Sequence, residues 1–346
     1  MNRISKFIGS FINFVFCLWF KIGKVMGLIL IEYDESKDMF VVWNYSSFYS
    51  IIVGLLATVT YPYAYYTLIS LLALVTQIDI SFSILVSVFG EALTYFSLML
   101  GYVEAILNRH KLKDLMNDIL SYEKCFSKEF PHIESAKECK MKYQMLFVIG
   151  IVIGLFTLLQ HTVVMLVVID LSKFNLILAV CIVPMTVSFV VSGQFFLCVL
   201  IIKYNINRIH HALDHMKKIH DNSRNLEMLS SLEESLRLSD NIDKLAVMHK
   251  QLYDINSQIS RLYTFQMLFV VLSNFVSIML DMFYIFIAVY FNSLNILTVR
   301  IVHLGFCAVC GILITLTNVF YNLKTSTVVS NSVRSNLNFH FHVLNF

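Results

Sequence analysis

Glu91, Glu104, His161 and Asp281 are ionisable residues inside long apolar runs of this chain. A titrating group among apolar side chains is costly to bury and usually faces a cavity or a partner. Gln160, Thr186, Ser188, Ser277, Tyr284 and His303 stand in these or in the other apolar runs. The set that could line a ligand pocket is Glu91, Gln160, His161, Asp281, Tyr284 and His303. The alternative chemistry is plainer: each acid bonds a polar group on a neighbouring helix and only fixes packing.

Other spacings invite chemistry less well. Cys307 and Cys310 are three apart, but they sit in an apolar stretch too deep for a zinc or redox pair. His211 and His215 share a helical face, with His210 and His220 close by. No second pair of ligands accompanies them, so a solvated helix is the better reading. The sequence has no Gly-rich phosphate loop, no nucleophile elbow and no His-Glu-x-x-His pattern. The expectation is a protein that is not an enzyme and uses no metal or cofactor.

The elements that must carry these residues are apolar helices. Hydrophobic residues make up 58% of the 346-residue chain and charged residues 14%. Soluble domains are nearer half apolar and a quarter charged. Six runs reach the roughly 20 residues that a helix needs to cross a bilayer. They are 47–76, 80–107, 143–169, 174–202, 264–291 and 301–323. Most exceed the minimum, so tilt or extension beyond the bilayer is expected.

Charge orients these runs. Of 26 Lys and Arg residues, only Lys173 and Arg300 fall outside one alternating set of connections. Basic loops stay in the cytoplasm. The layout is therefore a multi-pass protein with long inner connections, very short outer ones and, with six spans, both termini inside. The second and fourth spans run inward, the third and fifth outward. Glu91 then lies mid-span, His161 and Asp281 lie in the outer half, and Glu104 lies near the inner end. The net charge of +3 is small and points to no nucleic acid; the basic loops read as topology and lipid-headgroup contact. None of the seven cysteines lies in a short outer loop, which excludes a disulfide-stapled ectodomain.

The N-terminal stretch has two readings. Phe7 to Phe20 is apolar but about two-thirds of a span long, and Lys21 and Lys24 come directly after it. An interfacial helix fits large apolar residues mixed with basic ones; a true span is the rival. A small-residue cleavage pattern is absent, so no cleaved signal is expected. Glu32 to Asn44 is acidic and polar and is expected to return the chain to water.

The inner connections read as helices. One carries Leu112, Leu115, Met116, Ile119 and Leu120; the other carries Leu238, Ile242, Leu245, Leu252, Ile255, Ile259 and Leu262. Such stripes must be covered, either by each other or by another subunit. Pro62 and Pro184 lie within spans, where proline marks a hinge, a cavity or simple packing accommodation. The expected fold class is all-α: a polytopic membrane helical bundle of about six transmembrane helices with long cytoplasmic helical extensions. Its parts are a cytoplasmic or interfacial segment (1–46), a transmembrane domain (47–323) and a cytoplasmic tail (324–346).

A seven-helix G-protein-coupled receptor would result if residues 1–31 crossed the membrane. Asn108-Arg109-His110 and Asn318-Val319-Phe320-Tyr321 resemble that family in part. The acid before Arg109, the proline after Asn318, the outer disulfide and a Trp-x-Pro are all missing. A small-solute transporter using Glu91 and Asp281 is a third class, and no internal repeat supports it.

Another family fits better. Gly27-Leu28-Ile29-Leu30-Ile31-Glu32-Tyr33-Asp34 with Phe40-Val41-Val42 resembles the segment before the first span of insect gustatory receptors. Leu245-Ala246-Val247-Met248-His249-Lys250-Gln251-Leu252, continuing through Ile259 and Tyr263-Thr264-Phe265-Gln266-Met267-Leu268, resembles their cytoplasmic helix and fifth span. The resemblance covers roughly residues 20 to 325. It implies a taste chemoreceptor in the plasma membrane with its N-terminus in the cytoplasm. It further implies a ligand-gated, non-selective cation channel, assembled as a homo- or hetero-tetramer with related subunits. A small-molecule tastant would bind in an outer pocket, and the last span would line the pore. That family's last span carries Thr-Tyr, five apolar residues and Gln-Phe. Residues 324–346 lack this signature and any apolar run of spanning length. The polypeptide expressed alone is therefore expected to give no ligand-evoked current.

Overall fold

The computed structural model describes residues 2–42, 45–76, 81–131, 136–168, 182–223 and 228–290. Among them are seven helices and one hairpin. In chain order they are α1 (Asn2–Val25), β1 (Ile31–Asp34), β2 (Met39–Val42), α2 (Ser46–Thr76), α3 (Ser81–Leu107), α4 (Arg109–Glu129), α5 (Ala136–Val168), α6 (Val183–Ser223) and α7 (Met228–Tyr290). The run expected at 301–323 and the tail at 324–346 lie outside the described residues, as do residues 174–181 of the expected fourth span.

Helix length is set by composition. α7 has 63 residues and no glycine or proline, so nothing interrupts its hydrogen-bond ladder. At 1.5 Å per residue it is roughly 95 Å long, and the 41-residue α6 is roughly 60 Å. Both exceed a hydrocarbon core of about 30 Å, so each must project well beyond any membrane it enters. Among the described residues, Ser47–Thr67 and Val183–Ile219 are long and apolar enough to cross one. Pro62 lies inside α2 without ending it.

Two cores result. The first joins α1, α2, α3, α5 and α6 through residues such as Trp19, Tyr61, Leu98, Tyr102, Phe147, Ile151, Val187 and Val190. The second joins α4 to the far halves of α6 and α7. Leu115, Ile119, Tyr122 and Phe126 of α4 meet Ile202, Ile206 and Ile209 of α6, and Leu245, Leu252, Ile255 and Ile259 of α7. The stripes read from the sequence on α4 and α7 are thus covered within one chain. α3 passes into α4 across a single non-helical residue, Asn108. Its amide donates to Glu104 O (2.8 Å) and its carbonyl accepts from Leu112 N–H (2.8 Å).

The N-terminal segment is helical and packs on α5 and α6. Ile12, Val15 and Trp19 are buried, while Phe11, Phe14, Phe16 and Leu18 are exposed. Trp19 meets Phe147 edge-on (5.4 Å between ring centroids) and crosses α6 at Gly193. A Cβ there would stand 2.7 Å from the indole Nε1, so only glycine lets the helices approach this closely. α1 ends at Gly27, whose φ of +69° suits glycine.

The polar stretch after α1 carries more structure than the sequence suggests: residues 31–42 fold as an antiparallel hairpin, Ile31 opposite Val42 and Asp34 opposite Met39, with residues 32, 33 and 35–39 exposed. The turn places Asp38 at φ +51°, a region that aspartate tolerates. The missing stabilisation comes from α4. Asn117 accepts from Phe40 N–H (2.7 Å) and donates to Phe40 O (3.0 Å), and Lys124 pairs with Asp38.

Candidate functional site

The polar residues of the bundle gather on the seam between α3, α6 and α7. α3 and α7 run antiparallel, and Thr94 meets Ser273 hydroxyl to hydroxyl at 3.2 Å. One turn further along α3, Ser97 and Gly101 face Gln266 and Val270 of α7 and Val187, Ser188 and Val191 of α6. These seven residues line a crevice that is too narrow to admit a water molecule. A Cβ on Gly101 would stand 2.8 Å from Val187 Cγ1. Ser97 and Gln266 are each 7% exposed, so both polar groups are held inside the packed seam.

The seam continues toward α4. The Tyr263 hydroxyl donates to Gln194 Oε1 (3.3 Å), and Gln194 Nε2 donates to Leu28 O at the long limit of 3.5 Å. Glu104 lies one turn beyond Gly101, within electrostatic reach of Tyr263. Its Oε2 is enclosed without a hydrogen-bond partner. A polar chain therefore runs from the link after α1, through α6, to α7, with an unpaired carboxyl oxygen at its side. Such a chain ties the link after α1 to α6 and α7, because each donor lost would leave a buried acceptor bare.

The residues read from the sequence as ligand contacts fall elsewhere. Glu91 is in α3, Gln160 and His161 in α5, and Asp281 and Tyr284 in α7. Their side chains, and all of His303, lie outside the described residues. Their backbone positions share one end of the bundle, on the far side of the Thr94–Ser273 contact from α4. Glu91 is three residues beyond Thr94 and Asp281 eight beyond Ser273. The two differ by about 7 Å along the helix axes at 1.5 Å per residue. Of the polar neighbours expected at similar depth, Ser188 lines the crevice, and Thr186 is buried and donates to Ile182 O (2.6 Å).

Glu104 stands out in the sequence as an acid in an apolar run, whereas Ser97, Gln194, Tyr263 and Gln266 are not marked there as partners in one seam. Glutamines inside apolar runs were the available signal. What brings them together is the register of α3 against α6 and α7, which no local pattern encodes.

Long apolar helices in a bundle, with a buried polar seam and two helices far longer than a bilayer is thick, define a helical membrane protein. The chain belongs to the 7tm chemosensory receptor family, whose model matches residues 16–334. That match agrees with the resemblance to insect gustatory receptors. The family is one of receptors, not of enzymes. Among curated proteins, none matches the chain.

Proposed function

We propose that this chemoreceptor is a subunit of a ligand-gated, non-selective cation channel that detects tastants at the plasma membrane. In this reading its N-terminus is cytoplasmic and it assembles as a tetramer with itself or related subunits. The small-molecule tastant binds near Glu91, Gln160, His161, Asp281, Tyr284 and His303. One observation supports this best. Five of the six positions lie at the same end of α3, α5 and α7, opposite the bundle built by α4.

The mechanism is a population shift. A ligand moves the closed-to-open equilibrium only by binding the two states differently. α3 and α7 carry ligand positions at one end and the tight Ser97–Gln266 crevice in the middle. A ligand that re-spaces their outer ends must therefore repack that crevice.

The test is a recording from excised outside-out patches, without GTP, from cells co-expressing the chain and related subunits. The probes are a panel of sugars, bitter alkaloids and bicarbonate. The expected outcome is an evoked cation current that persists without GTP and is lost in Asp281→Asn. A response that requires GTP would support a G-protein-coupled receptor instead. A current insensitive to substitution at all six positions would remove the ligand site.

A further inference from the structure

Arg208 of α6 is a buried cation without a counter-charge among the described residues. It is 7% exposed, and a guanidinium stays protonated in proteins. Its charge lies over the Phe126 ring at 4.1 Å and the Tyr204 ring at 5.4 Å. Nη1 donates to Asn205 Oδ1 (3.3 Å) and Nη2 to Ser127 Oγ (3.2 Å). Its Nε–H is enclosed without an acceptor.

A second orphan donor stands beside it. Tyr122 precedes Phe126 by one helical turn on the same face of α4, is 3% exposed, and its hydroxyl has no partner. Burial pushes this phenol well above its usual range, and the Arg208 charge offsets part of that rise. Both groups pack against Phe126: the Tyr122 ring centroid is 6.2 Å from that of Phe126, and the guanidinium lies 4.1 Å over the same ring. Both donate, and what they lack is an acceptor with negative charge.

We propose that Arg208, Tyr122 and Ser127 form a binding site for a phosphate-type oxyanion between α4 and α6. A guanidinium, a phenol and a hydroxyl can each donate to an oxyanion, and such charge-assisted hydrogen bonds are short and strong. The position suits a lipid headgroup as well as soluble phosphate. Arg208 is six residues past the end of the expected fourth span, about 9 Å along the helix. Basic pockets between helices at that depth take phosphorylated headgroups. This site lies at the opposite end of the bundle from the tastant residues and does not depend on them.

The test is thermal unfolding of the full chain in detergent. It is titrated separately with inorganic phosphate, short-chain phosphatidic acid and, as controls, sodium chloride at equal ionic strength and diacylglycerol. Phosphate or phosphatidic acid should raise Tm saturably, and the controls should not. A shift with both probes means that the free anion suffices; a shift with phosphatidic acid alone identifies the headgroup as the source. Tyr122→Phe removes an unpaired buried hydroxyl, so its Tm without ligand should equal or exceed the parent's. Its apparent affinity should fall about tenfold, the equivalent of one hydrogen bond of about 1.4 kcal/mol. Arg208→Lys should abolish the shift. If Arg208→Lys does not fold, Tyr122→Phe decides. Absence of a saturable shift with both phosphate and phosphatidic acid, or a shift unchanged in Tyr122→Phe, would overturn the proposal.

Discussion

Asn117 shows how much one side chain can organise. Its amide makes both hydrogen bonds that an amide can exchange with a peptide, to the N–H and the C=O of Phe40, 77 residues earlier. Asn117→Ala leaves both Phe40 groups without partners at a part-buried place. The expected cost is about 1–3 kcal/mol, read as a lower Tm in detergent. Asn117→Asp keeps the acceptor for Phe40 N–H but sets a carboxylate against Phe40 O, so it should not rescue. His249 gives a second residue-scale expectation. Burial, and then the charge of nearby His210, hold its ring below the usual range. The folded chain then binds a proton less readily than the unfolded chain, whose His value is about 6.5. The proton uptake that favours unfolding is absent well above that value and grows as pH falls below it. A drop in Tm between about pH 7.5 and about pH 5.5 is expected, smaller in His249→Gln.

Among elements, α1 depends on one glycine of α6. Gly193→Val would drive side-chain atoms into the Trp19 ring, and overpacking of this kind costs about 1–3 kcal/mol. The expected result is α1 displaced from α5 and α6, read as faster proteolysis near Lys21 and Lys24. Combining it with Trp19→Leu should restore resistance. The elements also show what the sequence disclosed. The stripes Leu112–Leu115–Met116–Ile119 and Leu245–Leu252–Ile255–Ile259 were legible because their periodicity is local and the helices lack breakers. The hairpin was not legible: Glu32 to Asp38 is polar, and its stabilising partners Asn117 and Lys124 sit on a distant helix. The α3–α6–α7 seam was half legible. Glu104 stands out as an acid in an apolar run, but Ser97 and Gln266 gain meaning only from inter-helix register.

At the scale of the molecule, two cores share the same long helices. α6 runs through both, and Leu112 and Met116 of α4 pack against each. This continuity links the end of the bundle that carries the proposed ligand positions to the far one. Ile259 is buried in the second core, and Ile259→Ala should cost about 2–5 kcal/mol through the cavity it leaves. The corresponding readout is a lower Tm with the surface exposure of α2 unchanged. In the proposed orientation, the basic residues of the connections stay inside the cell, and α4 and the far halves of α6 and α7 are then cytoplasmic. That placement is tested most directly by one epitope tag before Met1 and a second in the 224–227 connection, stained in intact and permeabilised cells. The expected result is that both tags are seen only after permeabilisation. A tag before Met1 visible on intact cells, with the 224–227 tag hidden, would mean that residues 1–31 cross the membrane, and the cytoplasmic N-terminus of a gustatory-type channel would be contradicted.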